Sequence, residues 1–251
     1  MPRNSKSEHP MITELWRQKG GTLVREFPLV RTIRGVQQRR VVDALILTDR
    51  PRVELEPKSV TLSPSENVLV VQAKSKRLCR VLMGQAVFSP RLLVKHHRLR
   101  KAQGVLLCTT SESPALQSEL RDFDVEIVLM PHMTSGQRGF SETPNRELRD
   151  RWRASVSGSV EYDTPIPLPG LHKRITAHAL WTRSDCQRFS VTCCQTRWGL
   201  GMWGLGHSLF TARLATRAFG VRHEPLIVAH RDDAAIRALA DQQGIRVVIQ
   251  A

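Results

Sequence analysis

Two neighbouring apolar segments each carry polar residues that could act together on a phosphodiester. Residues 41–47 contain one acid, Asp43, among apolar side chains, and residues 68–71 run directly into Gln72 and Lys74. Positions 72 and 74 share one face of a strand because the side-chain period of a strand is two. A carboxylate, an amide oxygen and an amine suit metal-dependent phosphodiester hydrolysis, with Asp43 and Gln72 on Mg²⁺ and Lys74 positioning or activating the attacking water.

Further polar residues precede and follow this group. A helix predicted over residues 10–19 carries Glu14, which could add another metal ligand, and Gln85 lies on the helical segment after Lys74. An unpaired carboxylate in an apolar strand costs several kcal/mol, about 2–7 for a polar group without a partner. Asp43 is therefore expected to have a metal or another partner.

Simpler roles remain open for each of these residues. Asp43 could cap a turn or pair with a neighbouring arginine, Lys74 could belong to a solvated strand end, and Glu14 could pair within its own helix. The partners for these roles are Arg39 or Arg40 for Asp43, Lys76 beside Lys74, and Arg17 for Glu14.

A rival acid-x-lysine pattern follows Asp43 at Glu56-Pro57-Lys58. Proline in a central strand removes a ladder hydrogen bond, and the flanking residues are too charged for a buried strand. We therefore favour the pattern formed by Gln72 and Lys74.

Strands that alternate with helices are predicted around these motifs. A helical pattern over residues 77–97 contains Pro90, which is expected to kink or split it. Further apolar segments indicate strands near 105–108 and 125–129. This order predicts an α/β fold with at least one parallel strand pair.

The second half of the chain resembles the first. Residues 80–92 align without gaps on residues 202–214, so that glycine, phenylalanine and Arg-Leu coincide. We interpret this as an internal duplication. The predicted divisions are a disordered N-terminus (1–9), an active module (10–131), a linker rich in Ser, Thr, Gly and Pro (132–146), and a second module (147–251).

The second module lacks the polar group of the first. His178 stands near the position of Asp43, and the alignment places Cys194 at the position of Gln72, Thr196 at that of Lys74 and His207 at that of Gln85. Two hard oxygen ligands are not visible in this set, so we predict a second module that does not cut.

Charge indicates the partner. The chain has 38 Lys and Arg against 23 Asp and Glu, a formal net charge of +15, spread along its length. A polyanion is the expected partner, and the low aromatic content favours a duplex over a single strand. The basic residues nearest the motifs are expected to contact nucleic acid: Arg39, Arg40, Lys76, Arg77, Lys95, Arg98, Arg100 and Lys101.

Other sequence features bound the cellular setting. The five cysteines show no CxxC spacing and no signal peptide precedes them, which indicates a reducing, cytoplasmic compartment. No apolar run approaches the length of a membrane span, about 20 residues.

At these residues the chain resembles the PD-(D/E)XK nuclease superfamily, which includes restriction enzymes, recombination-type exonucleases and transposon-encoded endonucleases. The matching features are Glu14, Asp43, Gln72-Ala73-Lys74 and Gln85, over about residues 10–131. The chain departs from the family pattern where Gln72 replaces the usual acid, where no proline precedes Asp43, and where the tyrosine that accompanies the glutamine of exonuclease-type members is missing.

The resemblance implies two tandem restriction-endonuclease-like modules, each with a central mixed β-sheet flanked by helices. It implies a DNA endonuclease that uses Mg²⁺ or Mn²⁺ and cuts one strand per active site. The alternative is a catalytically inactive, DNA-binding or architectural subunit of a mobile-element or defence nucleoprotein complex, with protein partners. A nuclease for structured RNA would differ only in substrate.

Overall fold

The computed structural model describes residues 8–30, 40–110, 114–131, 145–169, 175–194 and 199–250. The chain divides into two compact units, which we call unit 1 (Met1–Glu112 and Leu120–Gly139) and unit 2 (Ser113–Glu119 and Phe140–Ala251). The predicted α/β class is confirmed, because each unit holds a mixed β-sheet flanked by helices. Among the described residues, no helix combines the length and apolar character needed to cross a bilayer.

Unit 1 is built on a six-stranded sheet in the order β3-β1-β2-β4-β5-β6. The β1–β2 and β2–β4 pairs are antiparallel, whereas the β3–β1, β4–β5 and β5–β6 pairs are parallel. The elements between residues 8 and 129 are α1 (Glu8–Lys19), β1 (Thr22–Val30), β2 (Arg40–Leu47), β3 (Glu54–Leu55), a 3₁₀ turn (Pro57–Ser59), β4 (Val68–Arg77), α2 (Arg80–His97), β5 (Gln103–Thr110), α3 (Pro114–Glu119) and β6 (Val125–Leu129).

Unit 2 has a five-stranded sheet. Its first three strands are antiparallel and its last three are parallel. Its elements are α4 (Arg146–Ala154), β7 (Ser159–Ile166), β8 (Ile175–Thr182), β9 (Arg188–Cys193), α5 (Met202–Phe219), β10 (Glu224–Ala229), α6 (Ala234–Gln242) and β11 (Arg246–Ile249). The strands lie in the sheet in the same order as in the chain. Helix α3 groups with this unit by its contacts, although it lies between β5 and β6 along the chain.

The two sheets share one topology. The series β1-β2-β4-β5-β6 and the series β7-β8-β9-β10-β11 have the same sequence of antiparallel and parallel pairings. In both, an 18-residue helix connects the first parallel pair, α2 in unit 1 and α5 in unit 2. This is the arrangement that the repeat in the sequence predicts.

Helix α1 packs on one face of the unit 1 sheet. Met11, Ile12 and Leu15 are buried against a row of apolar side chains that includes Val71 and Ala73 of β4. The helix begins at Glu8, two residues before the predicted start, and residues 1–7 of the predicted disordered segment lie outside the described residues. Most of the predicted linker, residues 132–144, also lies outside them.

Helix α2 is not split at Pro90, contrary to expectation. Proline has no N–H to donate to the carbonyl four residues before it, which is that of Ala86. Gly104 of β5 passes close to this carbonyl, because a Cβ on Gly104 would lie 2.3 Å from the Ala86 oxygen. The missing side chain at position 104 therefore lets β5 pack directly against the backbone of α2.

We expect Gly104→Ala to destabilise unit 1 by about 1–3 kcal/mol, because strand and helix must separate to admit the methyl group. Chemical denaturation monitored by circular dichroism measures the effect. The neighbouring Gln103→Ala is the control and should change the free energy of unfolding by less than about 0.5 kcal/mol. Equal effects of the two variants would contradict this packing.

Candidate functional site

The candidate site lies where β2 and β4 separate. Their pairing runs from Leu47 and Val68 to Ala44 and Val71, and the next residue of β2 is Asp43, beside Gln72 in register. The backbone N–H of Ala73 donates to a carboxylate oxygen of Asp43 over 2.8 Å. An acid interrupts this apolar strand because its side chain supplies the acceptor for a backbone donor at the end of the ladder.

The carboxyl of Asp43 holds its proton unusually strongly. The pKa of Asp43 is raised from an ordinary value of 3.8 to about 7, chiefly by desolvation and to a lesser extent by the nearby carboxylates of Glu8 and Glu26, whereas the Ala73 N–H and the Lys74 ammonium oppose the rise. The carboxylates of Glu8 and Glu26 are thus near enough to disfavour ionisation of Asp43, and a cation bound by Asp43 would offset this repulsion.

Lys74 and Glu8 complete the group. The Lys74 amine lies 3.3 Å from a carboxylate oxygen of Glu8; the Lys74 side chain is 49% exposed and that of Glu8 only 7%. Glu8 is the first residue of α1, where the positive end of the helix dipole favours an anion. The opening helix therefore places one acid, Glu8, beside Lys74.

Glu14, the predicted acid of this helix, has other partners. Its carboxylate accepts hydrogen bonds from Arg17 and Gln18, each at 2.8 Å. Glu8 lies three, four and seven residues before the buried Met11, Ile12 and Leu15, which is the spacing of one helix face. Glu14 lies outside that series. The periodicity could have identified Glu8 if the helix had been predicted to begin there.

Glu26 is a second acid that sequence reasoning missed. Arg25 pairs with Ala44 and Phe27 with Val42, so Glu26 lies opposite Asp43 across the β1–β2 pair. Its φ of 50° is left-handed, a conformation that residues with side chains seldom adopt in a strand. No sequence signal marks this residue, because a left-handed residue breaks the alternation by which strand faces are assigned.

Gln72 and Gln85 lie on the α2 side of the sheet. Gln72 is 3% exposed, and its amide nitrogen donates to the hydroxyl of Ser89 over 3.1 Å. This bond leaves the carbonyl oxygen of Gln72 as the atom that suits a metal. Gln85 lies one helical turn before Ser89 and therefore on the same side of α2.

The predicted basic residues separate into two groups. Arg40 begins β2, three residues before Asp43, and Lys76 and Arg77 end β4, although only their backbone is described; Arg39 lies outside the described residues. The other four lie in the last turn of α2 or just after it. We call these four the basic corner: Lys95, Arg98, Arg100 and Lys101, all of them exposed.

The donors suit a hard divalent cation. Two carboxylates, Asp43 and Glu8, and the amide oxygen of Gln72 are the oxygen ligands that Mg²⁺ and Mn²⁺ prefer. Within the described part of the chain, no three His, Cys, Asp or Glu residues are close enough together to hold an ion. A metal bound by Asp43 and Glu8 would compete with the ammonium of Lys74 for the Glu8 carboxylate.

The rival motif has a different setting. Glu56 and Lys58 form an ion pair with each other at 2.9 Å, and both side chains are largely exposed. Lys58 lies on the 3₁₀ turn, and neither residue belongs to a central strand. This placement favours the pattern of Gln72 and Lys74, as the sequence argument does.

Unit 2 repeats the backbone contact with a different side chain. The N–H of Cys193 donates to Nδ1 of His178 over 3.3 Å, as Ala73 does to Asp43. Ala179 pairs with Val191 as Ala44 pairs with Val71. His178 is thus the counterpart of Asp43, as the sequence comparison indicates.

The same register corrects the remaining correspondences. Thr192 lies beside His178 as Gln72 lies beside Asp43, so Thr192 and Cys194, rather than Cys194 and Thr196, are the counterparts of Gln72 and Lys74. The ungapped alignment was fixed on the helices, and the strands differ from it by two residues. Thr196 itself lies outside the described residues.

The side chains at this place in unit 2 are closed off from solvent. His178, Thr192 and His207 are buried, the two imidazole rings lie 4.4 Å apart, and the Thr192 hydroxyl lies 3.1 Å from Nδ1 of His207. The arrangement holds no carboxylate at the positions of Asp43 and Gln72. It suits packing of a polar core.

Comparisons with known proteins give no further guide: the chain matches no family model, no curated protein and no solved structure.

The free energy of unfolding of the metal-free protein should fall as pH rises from about 4 to about 7. Folded Asp43 keeps its proton up to a pKa of about 7, whereas the unfolded chain releases it near 3.8. The slope for this one group is at most about 1.4 kcal/mol per pH unit. Asp43→Asn keeps an acceptor for Ala73 but cannot ionise, so this variant should lose the slope and be the more stable form at pH 8.

Urea denaturation at a series of pH values measures this slope. Asp241→Asn, on the exposed side of α6, is the matched control and should retain the wild-type slope. A slope that persists in Asp43→Asn would show that the Asp43 carboxyl is not its source.

Proposed function

We propose that the protein is a divalent-metal-dependent DNA endonuclease with its active site in unit 1. The observation that carries the proposal is the meeting of Asp43, Glu8 and Lys74 at the open end of the β2–β4 pair. Two acids and an amine at this end of the strand pair, with the amide of Gln72 beside Asp43 in register, match the chemistry of metal-dependent phosphodiester hydrolysis.

Each residue has a distinct role in this proposal. Asp43 and Glu8 hold Mg²⁺ or Mn²⁺, and the carbonyl oxygen of Gln72 assists them. The bound ion supplies Lewis-acid stabilisation of the phosphate. Lys74, half exposed and already held at the site by Glu8, positions the attacking water and offsets the charge that develops on the phosphate.

The fold supports an affinity with the PD-(D/E)XK superfamily. A helix supplies one acid, an antiparallel strand a second, and the next strand the Gln-x-Lys pair, followed by the helix that carries Gln85. The shared topology of the two sheets supports a tandem duplication in which unit 2 has lost its acids. Such a protein cuts one strand per encounter and nicks a duplex unless a second copy or a partner nuclease acts with it.

DNA is the proposed substrate because the chain carries a formal net charge of +15. Excess cationic charge favours the phosphate backbone of a duplex through counterion release, without any requirement for base stacking.

Nicking of supercoiled plasmid with Mg²⁺ or Mn²⁺ tests the proposal. Asp43→Asn and Lys74→Ala should each lower the rate by at least about 100-fold, as expected when a group that stabilises charge in the transition state is lost. Lys58→Ala removes the same charge from the rival motif and should leave the rate unchanged. Wild-type cleavage by the double variant of Asp43 and Lys74 would overturn the assignment. Duplex binding without cleavage by either metal would instead identify an inactive binding subunit.

A second pair of variants compares two acids of one helix. Glu8→Gln should lower the nicking rate by about 100-fold or more, since it removes a charge beside Lys74. Glu14→Gln should change the rate by less than about twofold, because its carboxylate serves Arg17 and Gln18. Thermal unfolding of both variants separates an effect on the site from loss of the helix. The reverse order of effects would restore Glu14 as the ligand.

A further inference from the structure

The basic corner concentrates positive charge in the last turn of α2 and the residues that follow it. Four of the seven residues from 95 to 101 are Lys or Arg, and all four are exposed. Lys101 forms an ion pair with Asp124 at 2.9 Å, whereas Lys95, Arg98 and Arg100 have no ion pair among the described residues. Like charges held together without acids repel one another, so an external anion would stabilise the group.

The corresponding place in unit 2 is built differently. Arg217, in the last turn of α5, donates to the hydroxyl of Ser118 over 2.8 Å and lies 3.9 Å from a carboxylate oxygen of Glu119. The helix ends at Gly220 in the left-handed conformation, with φ of 68°. At the position of Lys95, unit 2 therefore has an arginine that is paired.

The end of α2 carries an arginine where α5 has a glycine. Arg98 adopts the left-handed conformation with φ of 56°, which is unfavourable for a residue with a side chain and usual for glycine at a helix end. The negative end of the helix dipole favours cations in the last helical turn, and this accounts for Lys95. That effect does not account for Arg100, which lies beyond the helix.

The backbone of the corner is fixed by its neighbours. Leu99 is buried and its N–H donates to the carbonyl of Val94, while the N–H of Arg100 donates to the carbonyl of Pro64. The imidazole of His97 also packs against Phe27, with ring centroids 5.4 Å apart. The charged side chains thus project from a turn of defined position, which lowers the ordering cost of binding a ligand.

The corner and the candidate active site lie at opposite ends of the unit 1 sheet. Helix α2 has 18 residues, and it leads from the site end of β4 to the corner, a length of about 27 Å at 1.5 Å per residue. The strand β4 gives a second estimate of this distance. Its first residue, Val68, follows Pro64, which contacts Arg100, by four residues. Val68 is about 20 Å from Lys74 along the strand at 3.3 Å per residue. At about 3.4 Å per base pair, these lengths correspond to roughly 6–8 base pairs.

We propose that Lys95, Arg98 and Arg100 form a second phosphate-binding surface for duplex DNA, about 6–8 base pairs from the phosphodiester that is cut. The proposal rests on the nuclease function proposed above and defines its substrate class. The preferred substrate is a duplex that continues at least this far to one side of the cleavage point, and a duplex that ends sooner is a poor substrate.

The double variant Arg98→Gly and Arg100→Gln tests this surface. Glycine keeps the left-handed turn, as Gly220 does in unit 2, so the variant should fold normally. On duplexes with 20 base pairs on each side of the cut, KM should rise on the order of tenfold with kcat unchanged, because two phosphate contacts are lost. On duplexes with 4 base pairs on each side, wild type and variant should have equal KM. Lys58→Gln, at an exposed lysine paired with Glu56, is the control and should match wild type at both lengths.

Binding measured in the Asp43→Asn background separates this inference from the nuclease assignment. The plot of log affinity against log salt concentration should become shallower by about 2 in the double variant, since each lost phosphate contact removes about 0.9 from the slope. An unchanged slope, or an equal loss of affinity for short and long duplexes, overturns the second surface even where cleavage is intact. A shallower slope for long duplexes alone supports it even where no cleavage is found.

Discussion

The hydrogen bond from the Ala73 backbone to Asp43 fixes how the centre of unit 1 is built. The antiparallel pair of β2 and β4 has to end somewhere, and at its end a backbone donor loses its ladder partner. A carboxylate fills this need and at the same time places a partly desolvated acid beside Glu8 and Glu26. The carboxylate that accepts this hydrogen bond therefore also lies where its ionisation is unfavourable. A bound metal would offset that cost, which lowers the stability of the metal-free protein.

Unit 2 meets the same backbone requirement without the charge. The imidazole of His178 accepts from Cys193 and packs on His207, and the surrounding polar groups are buried. A neutral acceptor satisfies the strand end and needs no cation. The comparison separates two demands on one position: the fold requires an acceptor there, whereas the proposed chemistry requires that the acceptor be an acid.

The strands that carry Asp43, Gln72 and Lys74 could be predicted because their apolar runs are long, and the pairing of these strands sets Asp43 beside Gln72. Glu8 was missed because the helix was predicted to begin after it, and Glu26 because its left-handed backbone breaks the alternation. The basic corner is close to Lys74 in sequence, but the length of α2 carries it to the other end of the sheet. Pro90 did not divide that helix because close packing, here at Gly104, outweighs the local preference.

The position of Glu8 at the start of α1 links the assembly of the site to local helix stability. The first four N–H groups of a helix have no acceptors within it, so the first turn is the part of α1 that opens most readily. The proposed metal, on binding Glu8, would also have to hold this turn closed, and its apparent affinity would include that ordering free energy. If the proposed metal binds there, amide hydrogen exchange in the first turn of α1 and metal occupancy report the same equilibrium, and a change that stabilises the start of the helix also increases metal binding.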